Sequence, residues 1–186
     1  MSIKAGEALA KALALPCASV LDVGCGDGYH ARQFKLAGKK VTTVSLDEGA
    51  DFCGDYLALG LPQFDLIWCS HVLEHQTNPG LFLKKCKADL NPGGWLCVTV
   101  PPAKPELAGG HVTIWNESVL LYQLVMAGFD CSEIMIKRYD YNISAIIQKK
   151  AVSLPKLKMD FGDIETLRDY LPKGVKHGDI IGDINW

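Results

Sequence analysis

The sequence predicts an α/β fold with a doubly wound, mostly parallel sheet that ends in an antiparallel hairpin. Strand-like and helix-like segments alternate regularly from residue 19 onward, which is typical of α/β domains. The apolar runs 20–23 and 64–69 are short and continuous, as expected for parallel strands buried on both faces. A glycine-rich turn follows the first of these runs and precedes a helix-like segment, so a ligand can approach the backbone closely there.

The remaining elements follow from composition and turn residues. The segment from Met1 to Leu15 is Ala/Leu-rich but interrupted by charges, which predicts an amphipathic helix. Strands are predicted over 19–23, 40–45, 64–69, 95–100, 131–138 and 142–149, and helices over 29–37, 79–90 and 116–127. The last two strands are joined tightly at Asp140-Tyr141, which indicates a hairpin. Nine residues separate Ser45 from Asp55, too few for a full crossover helix, so we predict a shortened loop.

Three regions are predicted: an N-terminal helix over 1–18, a core domain over 19–150 and a C-terminal extension over 151–186. Pro155 and Pro172 break the extension into short pieces, with a short helix around 164–170. Its last residues, 180–186, are unusually apolar and end in Trp186. We therefore expect the extension to pack back on the domain, with a contribution to a partner or substrate surface as the alternative.

Composition limits the partners that we expect. The chain has 186 residues, of which 48% are hydrophobic and 22% charged, as in ordinary globular domains. A net charge of −2 gives no basic footprint for nucleic acid. No apolar run approaches the roughly 20 residues that span a bilayer. The seven cysteines include no C-x-x-C pair, which favours the reducing cytoplasm. We expect a small-molecule partner and leave a homo-oligomer open.

The glycine-rich turn separates two kinds of nucleotide site. Dinucleotide-binding proteins use Gly-x-Gly-x-x-Gly after the first strand. Here the third glycine arrives one residue early, at Gly28, and Tyr29 takes the place of the expected glycine. The spacing Asp22-x-Gly24-x-Gly26-x-Gly28 instead resembles the first motif of class I S-adenosylmethionine (SAM)-dependent methyltransferases. A nicotinamide-dependent oxidoreductase and a glycine turn without a ligand stay as alternatives.

The resemblance extends to the methyltransferase group with a Leu-Glu-His motif. Its other parts are Leu73-Glu74-His75, Asn91-Pro92-Gly93-Gly94, Val100-Pro101-Pro102 and Gly128-Phe129. Together they cover about two thirds of the chain. The resemblance implies a seven-stranded Rossmann-like sheet, with residues 19–150 as the SAM-binding domain. It also implies SAM as the cofactor and methyl transfer to an oxygen or nitrogen of a small molecule.

The resemblance also implies the residues that contact the cofactor: Asp22, Gly24, Cys25, Gly26, Tyr29, Ser45, Asp47, Asp55, Tyr56, Ser70 and His71. One departure stands out, because the family's ribose-binding acid falls on Ser45. We favour Asp47 as the carboxylate that replaces it, with Glu48 as the spare and a solvated acidic turn as the alternative. Tyr56 is expected either to wall the adenine ring or to pack in the core.

Three histidines are the candidate catalytic residues. His111 follows Gly109-Gly110 in a loop that resembles the family's acceptor border, and histidine titrates near neutrality, so it could act as a general base. His71 and His75 belong to a His-x-x-Glu-His pattern, which zinc proteases also carry, but no helical pattern surrounds it here. We predict no bound metal and a hydrogen-bonding role for Glu74 and His75. A partial divalent-cation site at Glu74, His75 and His111 is the alternative.

The acceptor and the activity leave further alternatives. We expect a sugar or polysaccharide precursor, on which Trp186 could stack, or a quinone-like metabolite. A non-catalytic SAM-binding or scaffold domain is the rival interpretation, because the acid is missing at Ser45 and the crossover is short.

Overall fold

The computed structural model describes residues 4–173, 175, 180 and 182–186. A seven-stranded sheet lies at its centre, in the order β3-β2-β1-β4-β5-β7-β6. The strands are β1 (Ser19–Val23), β2 (Lys40–Ser45), β3 (Phe52–Cys53), β4 (Phe64–Ser70), β5 (Leu90–Val100), β6 (Met135–Tyr139) and β7 (Asn142–Gln148). Strands β1 to β5 are parallel, whereas β7 runs antiparallel to both β5 and β6. The predicted fold class is confirmed.

Helices cover both faces of the sheet. They are α1 (Gly6–Ala14), α2 (Tyr29–Leu36), α3 (Pro79–Ala88), α4 (Glu117–Met126) and the short α5 (Asp163–Thr166). Because neighbouring strand residues point to opposite faces, β1 contributes Val20 to a cluster with α1 and α2. Leu21 of the same strand packs in the cluster that contains α3 and α4. Asn78 and Asn116 cap α3 and α4, since their side-chain oxygens accept from the backbone N–H three residues later, at 2.9 and 2.8 Å.

The crossover from β2 to β3 is short, as its length predicts. Residues 46–51 contain no helix, and β3 has only two residues. The Asp51 carboxylate accepts from the backbone N–H and the hydroxyl of Thr43, both at 2.8 Å. These hydrogen bonds lower the pKa of Asp51. The Asp51 side chain therefore hydrogen-bonds to the part of β2 with which a longer β3 would otherwise pair.

Two predicted strand starts differ from the structure by at least four residues. Strand β5 begins at Leu90, before the expected residue 95, because Leu90 pairs with Phe64 ahead of a register shift. Strand β6 begins at Met135, after the expected residue 131. Residues 131–134 form a turn in which the Ile134 N–H donates to the Cys131 carbonyl oxygen at 3.2 Å.

Parts of the C-terminal region contact the rest of the protein. Leu167 and Leu171 belong to the core cluster that contains α4. Ile184 exchanges two backbone hydrogen bonds of 2.9 Å with Ile136 on the edge strand β6. The Trp186 indole N–H donates to the Glu7 carboxylate at 3.1 Å. These contacts support a packed extension, although residues 1–3, 174, 176–179 and 181 of the predicted terminal regions lie outside the described residues. Within the described residues, no helix combines the length and apolar character that crossing a membrane requires.

Gly24 gives a test of how the β1–α2 turn is packed. A Cβ at this position would lie 2.2 Å from Cγ2 of Val72, and φ is +73°. We expect Gly24→Ala to lower the free energy of unfolding by roughly 2–4 kcal/mol, because overpacking and left-handed backbone strain add. Urea denaturation measures the change. Gly60→Ala is the control, since a Cβ there meets open space. Equal stability of the two variants would contradict this account of the turn.

Candidate functional site

The candidate site lies at the carboxyl ends of the parallel strands. The sheet order reverses between β1 and β4, which is where ligands bind in open α/β sheets. Strand β1 ends at Val23 and β4 ends at Ser70. The glycine turn leads directly from β1 into α2, so the predicted motif and the switch point coincide.

The glycine turn is fixed on one side and open on the other. The backbone N–H groups of Gly24 and Cys25 donate to the Val44 carbonyl oxygen, at 2.8 and 3.1 Å. These two N–H groups hold the turn against β2 and are not available to a ligand, so Gly24 and Cys25 stay predicted cofactor contacts through their other atoms. Gly26 has a φ of +50°, and a Cβ there would meet nothing within 4 Å. Gly26 is therefore the position where a ligand can approach the backbone.

Tyr29 begins α2 immediately after this turn. Its backbone N–H donates to the Asp27 carboxylate at 2.9 Å, so this donor too is occupied. Its ring lies edge-on to His30, with centroids 5.6 Å apart, and packs against the cluster below α1. Only its partly exposed ring remains available for the predicted cofactor contact.

Asp22 is a buried carboxylate with an unused oxygen. The residue is 1% exposed, and Oδ2 has no hydrogen-bond partner among the described residues. Burial raises the pKa of Asp22 to about 7, although a hydrogen bond from the Ala31 backbone opposes the change. The Ser70 hydroxyl and Oε2 of Glu74 are likewise buried without a partner. Unpaired buried polar atoms are costly, so their grouping at the ends of β1 and β4 indicates a site for a polar ligand.

The expected ribose side is more exposed. Ser45 is 8% exposed, and its hydroxyl accepts from the Asp47 backbone N–H at 3.1 Å. That bond closes a turn after β2 and exposes Asp47 and Glu48. Within the described part of the chain, the Asp47 carboxylate makes no hydrogen bond or ion pair, so it stays the predicted ribose contact.

The adenine side is corrected at one position. Tyr56 is 4% exposed, its hydroxyl donates to Asp89 at 2.8 Å, and its ring lies edge-on to Phe82 at 5.3 Å. With Lys85 over the ring at 4.7 Å, Tyr56 has no open face for adenine and belongs to the core. Asp55 is exposed, and one of its carboxylate oxygens accepts from Leu57 N–H at 3.0 Å. Asp55 thus caps the 3-10 turn after β3 and stays a predicted cofactor contact.

His71 has a different role from the one predicted. Its Nε2 lies 3.0 Å from Oδ1 of Asn142, an oxygen that also accepts from the Ala5 backbone N–H. Because that oxygen can only accept, Nε2 carries the hydrogen. Nδ1 lies 3.3 Å from the Glu74 carboxylate, and the side chain is 8% exposed. Both ring nitrogens are occupied, so His71 is corrected from a candidate base to a positioning residue.

His75 and His111 lie together on the side where the sequence predicts the acceptor. Nδ1 of His75 lies 2.8 Å from the Gly110 carbonyl oxygen, so Nδ1 carries the hydrogen and Nε2 keeps the lone pair of the neutral ring. The His75 and His111 rings meet edge-on, with centroids 5.1 Å apart. The Glu74 carbonyl oxygen accepts from Val112 and Thr113 N–H at 2.9 and 3.2 Å, which fixes the loop that carries His111.

Glu74, His75 and His111 could hold a cation. One ligand atom from each lies within 4.8 Å of the others. Glu74 is buried, His75 is exposed and His111 is intermediate. Imidazole and carboxylate groups are common ligands of divalent transition metals. The structure therefore brings together the three residues of the alternative cation site.

The hairpin contributes residues that sequence reasoning missed. Asn142 holds His71, and the Tyr141 ring stacks on the His71 ring at 6.3 Å. Val100 at the end of β5 pairs with Ile143, so the antiparallel hairpin turns at the carboxyl edge of the sheet. The predicted antiparallel pairing contained this information, because it brings the turn at Asp140-Tyr141 to the same edge as the site.

Comparisons with other proteins agree with this geometry. A ubiquinone biosynthesis O-methyltransferase from Bordetella bronchiseptica is 33% identical over 106 aligned positions, which cover 47% of this chain and 44% of that protein. The matched part of the chain thus spans less than half the length of this relative.

Solved structures with the same fold include different activities. A Burkholderia thailandensis 1,6-didemethyltoxoflavin-N1-methyltransferase, bound to its substrate and S-adenosylhomocysteine (SAH), superposes with a TM-score of 0.65. It is 22% identical, and the match covers 78% of each chain. The [4+2]-cyclase SpnF superposes with a TM-score of 0.55 at 24% identity, over 70% of this chain and 57% of its own.

A family model described as a methyltransferase domain matches residues 4–130. The match begins in front of α1, includes the glycine turn and the Leu73–His75 motif, and ends after α4. Because it covers more than half of the chain, the protein belongs to the methyltransferase-domain family.

Proposed function

We propose that this protein binds SAM at the β1–β4 edge and transfers its methyl group to an oxygen or nitrogen of a small molecule. The observation that carries the proposal is the unpartnered, buried carboxylate oxygen of Asp22, on the strand that leads into the open backbone at Gly26. A buried carboxylate without a partner is stabilised by a cationic ligand. The α-ammonium group of SAM has that charge, so the residues present fit the cofactor.

The chain's residues divide the work between cofactor and acceptor. When bound, SAM would supply the methyl group to an electron pair of the acceptor, and neutral SAH would be the other product. Asp22 and Gly26 hold the methionine end, and the Ser70 hydroxyl lies at the end of β4 as an unused polar group. The main contribution of such a site is to hold two reactants in line and exclude water.

An acceptor that loses a proton needs a base nearby. A small cavity lies beyond the carboxyl end of β5, lined by residues that include Pro102, His111 and Trp115. The His111 ring can therefore contact an acceptor bound in this cavity. His75 lies edge-on to the His111 ring, and Glu74 lies behind, with its carboxylate 3.9 Å from Nε2 of His75. We propose His111 as the base, with His75 and Glu74 orienting and electrostatically supporting it.

The position of Trp186 bears on the chemical class of the acceptor. This ring lies beside α1, where its N–H bonds to Glu7 and Lys11 lies 5.2 Å from its centroid. Trp186 is not among the residues that line the cavity beyond the carboxyl end of β5. Stacking on Trp186 therefore no longer supports a sugar as the acceptor. The name of the Bordetella relative is consistent with a ring such as a quinone precursor.

A scaffold domain that binds SAM without transferring its methyl group is the alternative to an enzyme. The [4+2]-cyclase among the structural neighbours is a reminder that this fold does not by itself fix methyl transfer. A scaffold domain would bind SAM or SAH without product formation.

We also propose a cytoplasmic location. All seven cysteines are unpaired, which supports this location.

Asp22→Asn tests the cofactor site. Isothermal titration calorimetry with SAM and SAH should give binding to the wild type and at least tenfold weaker SAM binding to the variant, about 1.4 kcal/mol. Wild-type affinity for SAM should increase between pH 6 and pH 8, because Asp22 ionises with a pKa of about 7 in the free protein. The variant should lack this increase. Absence of SAM and SAH binding to the wild type contradicts the proposed function.

The same substitution should have the opposite effect on stability. The folded-state pKa of Asp22 lies above its ordinary value of 3.8, so the wild type loses stability as pH rises from about 4 to 7. Asp22→Asn should therefore be more stable than the wild type at pH 8, by roughly 2–4 kcal/mol, and equal to it near pH 4. Exposed Asp169→Asn is the control and should change neither quantity.

His111→Ala tests the proposed base. We expect kcat to fall about 100-fold, within the usual range for a general base, while the Kd for SAM stays unchanged. His111→Gln, which keeps a polar side chain without a titratable nitrogen, should show the same loss. An unchanged kcat in either variant removes His111 from the reaction.

A divalent cation at Glu74, His75 and His111 is the second candidate, favoured by their grouping within 4.8 Å. We expect methyl transfer to survive dialysis against EDTA, because the base mechanism needs no metal. Titration with Co²⁺ provides an independent readout, since a bound ion gives a visible absorption band that His75→Ala should abolish. Loss of activity on chelation, with recovery on adding a divalent ion, would replace the base mechanism with a metal-assisted one.

A further inference from the structure

A small cavity lies beyond the carboxyl end of β5. Its volume is about 170 Å³, and its apolar walls come from Pro101, Pro102, Ile114 and Trp115. Sites for drug-sized ligands are larger, roughly 300–1,000 Å³, so this cavity suits a single substituted ring. Flat apolar walls of this kind offer few partners for the many hydroxyl groups of a sugar.

The polar groups that line the cavity include one ammonium group, that of Lys104. Lys104, His111 and Tyr141 line it, together with the carboxylate of Glu106. The Lys104 ammonium lies 4.3 Å from the centroid of the Tyr141 ring. Among the described residues, Lys104 forms no ion pair with a carboxylate. Its charge is therefore held over an aromatic face, from which an anionic ligand group can attract it.

Tyr141 fixes where this charge lies. The His71 ring stacks on the Tyr141 ring, with the two centroids 6.3 Å apart and an interplanar angle of 24°. His71 is itself fixed by Asn142 and Glu74, so the ring under Lys104 is anchored to a positioning residue of the site. A group bound by Lys104 would thus lie on the same side of the sheet as His111.

The rim of the cavity exposes apolar side chains. Leu107 is 99% exposed and Ile114 is 73% exposed, and both line the cavity. Val112, in the same loop, is 57% exposed. An apolar ligand body would remove part of this surface from water, whereas a small hydrophilic ligand would leave it exposed.

We propose that the methyl acceptor is a single-ring aromatic acid, with its carboxylate paired to Lys104 and its ring against the apolar wall to which Pro102 and Trp115 contribute. The proposal rests on the proposed function and names its substrate class. Lys104 is then a specificity-determining residue, because it separates acidic from neutral rings of the same size. The ring hydroxyl or amine, opposite the carboxylate, is the group left to face His111 and the methyl donor.

The test compares protocatechuate with catechol, which has the same two hydroxyl groups but no carboxylate. Calorimetry on the full chain, with and without saturating SAH, should give protocatechuate at least tenfold tighter binding than catechol. Lys104→Met should abolish this preference and Lys104→Arg should keep it. Lys84→Met removes the same charge from an exposed position in α3 and should leave the preference unchanged.

Several outcomes would overturn the proposal. They are equal binding of the two probes to the wild type, no binding of protocatechuate, or an intact preference in Lys104→Met. The result is separable from the proposed function, because ring binding is measured without turnover and SAH binding is measured in the same protein. Failure to bind SAH with an intact acid preference would reject methyl transfer and keep the acid site.

Discussion

The proposed acceptor side of this protein depends on Glu74, whose backbone and side chain hold different elements together. Its carbonyl oxygen accepts from Val112 and Thr113, which fixes the loop after β5. Its carboxylate contacts His71 and lies near His75. The residue is 1% exposed, so these interactions occur where water competes little. Loss of the carboxylate would leave His71 with an unpaired nitrogen and would release both sides of the site at once.

The cofactor side depends on a carboxylate in a different environment. Asp22 is as buried as Glu74, and each has one oxygen without a partner among the described residues, but His71 lies beside the other Glu74 oxygen, whereas burial raises the pKa of Asp22 to about 7. Such a group destabilises the folded protein when it is ionised. The strand position that holds it is otherwise ideal for an apolar residue, so a ligand that supplies a positive charge explains why a carboxylate stands there. Stability is lower at this position in exchange for affinity, whereas Glu74 has His71 beside one of its carboxylate oxygens.

Much of the fold and of the cofactor loop could be predicted, because local sequence determines them. Alternating apolar segments specify the parallel strands, and the early Gly28 distinguishes the turn from the dinucleotide type. The errors occurred where distant residues decide. Tyr56 follows β3 as a cofactor contact should, but Asp89, 33 positions away, accepts its hydroxyl and draws it into the core. His71 has the sequence position of a catalytic residue, but Asn142, 71 positions away, occupies its second nitrogen.

The hairpin explains why the missed residues matter together. Asn142 Oδ1 accepts from His71 and from the Ala5 backbone N–H, so the entry of α1 and the orientation of His71 depend on one oxygen atom. The adjacent Tyr141 carries Lys104 over its ring. Because β7 is antiparallel to β5, these residues can only meet the β4 motif at the carboxyl edge. The antiparallel end of the sheet therefore does more than close an edge: it supplies the acceptor side with groups that the parallel strands cannot provide.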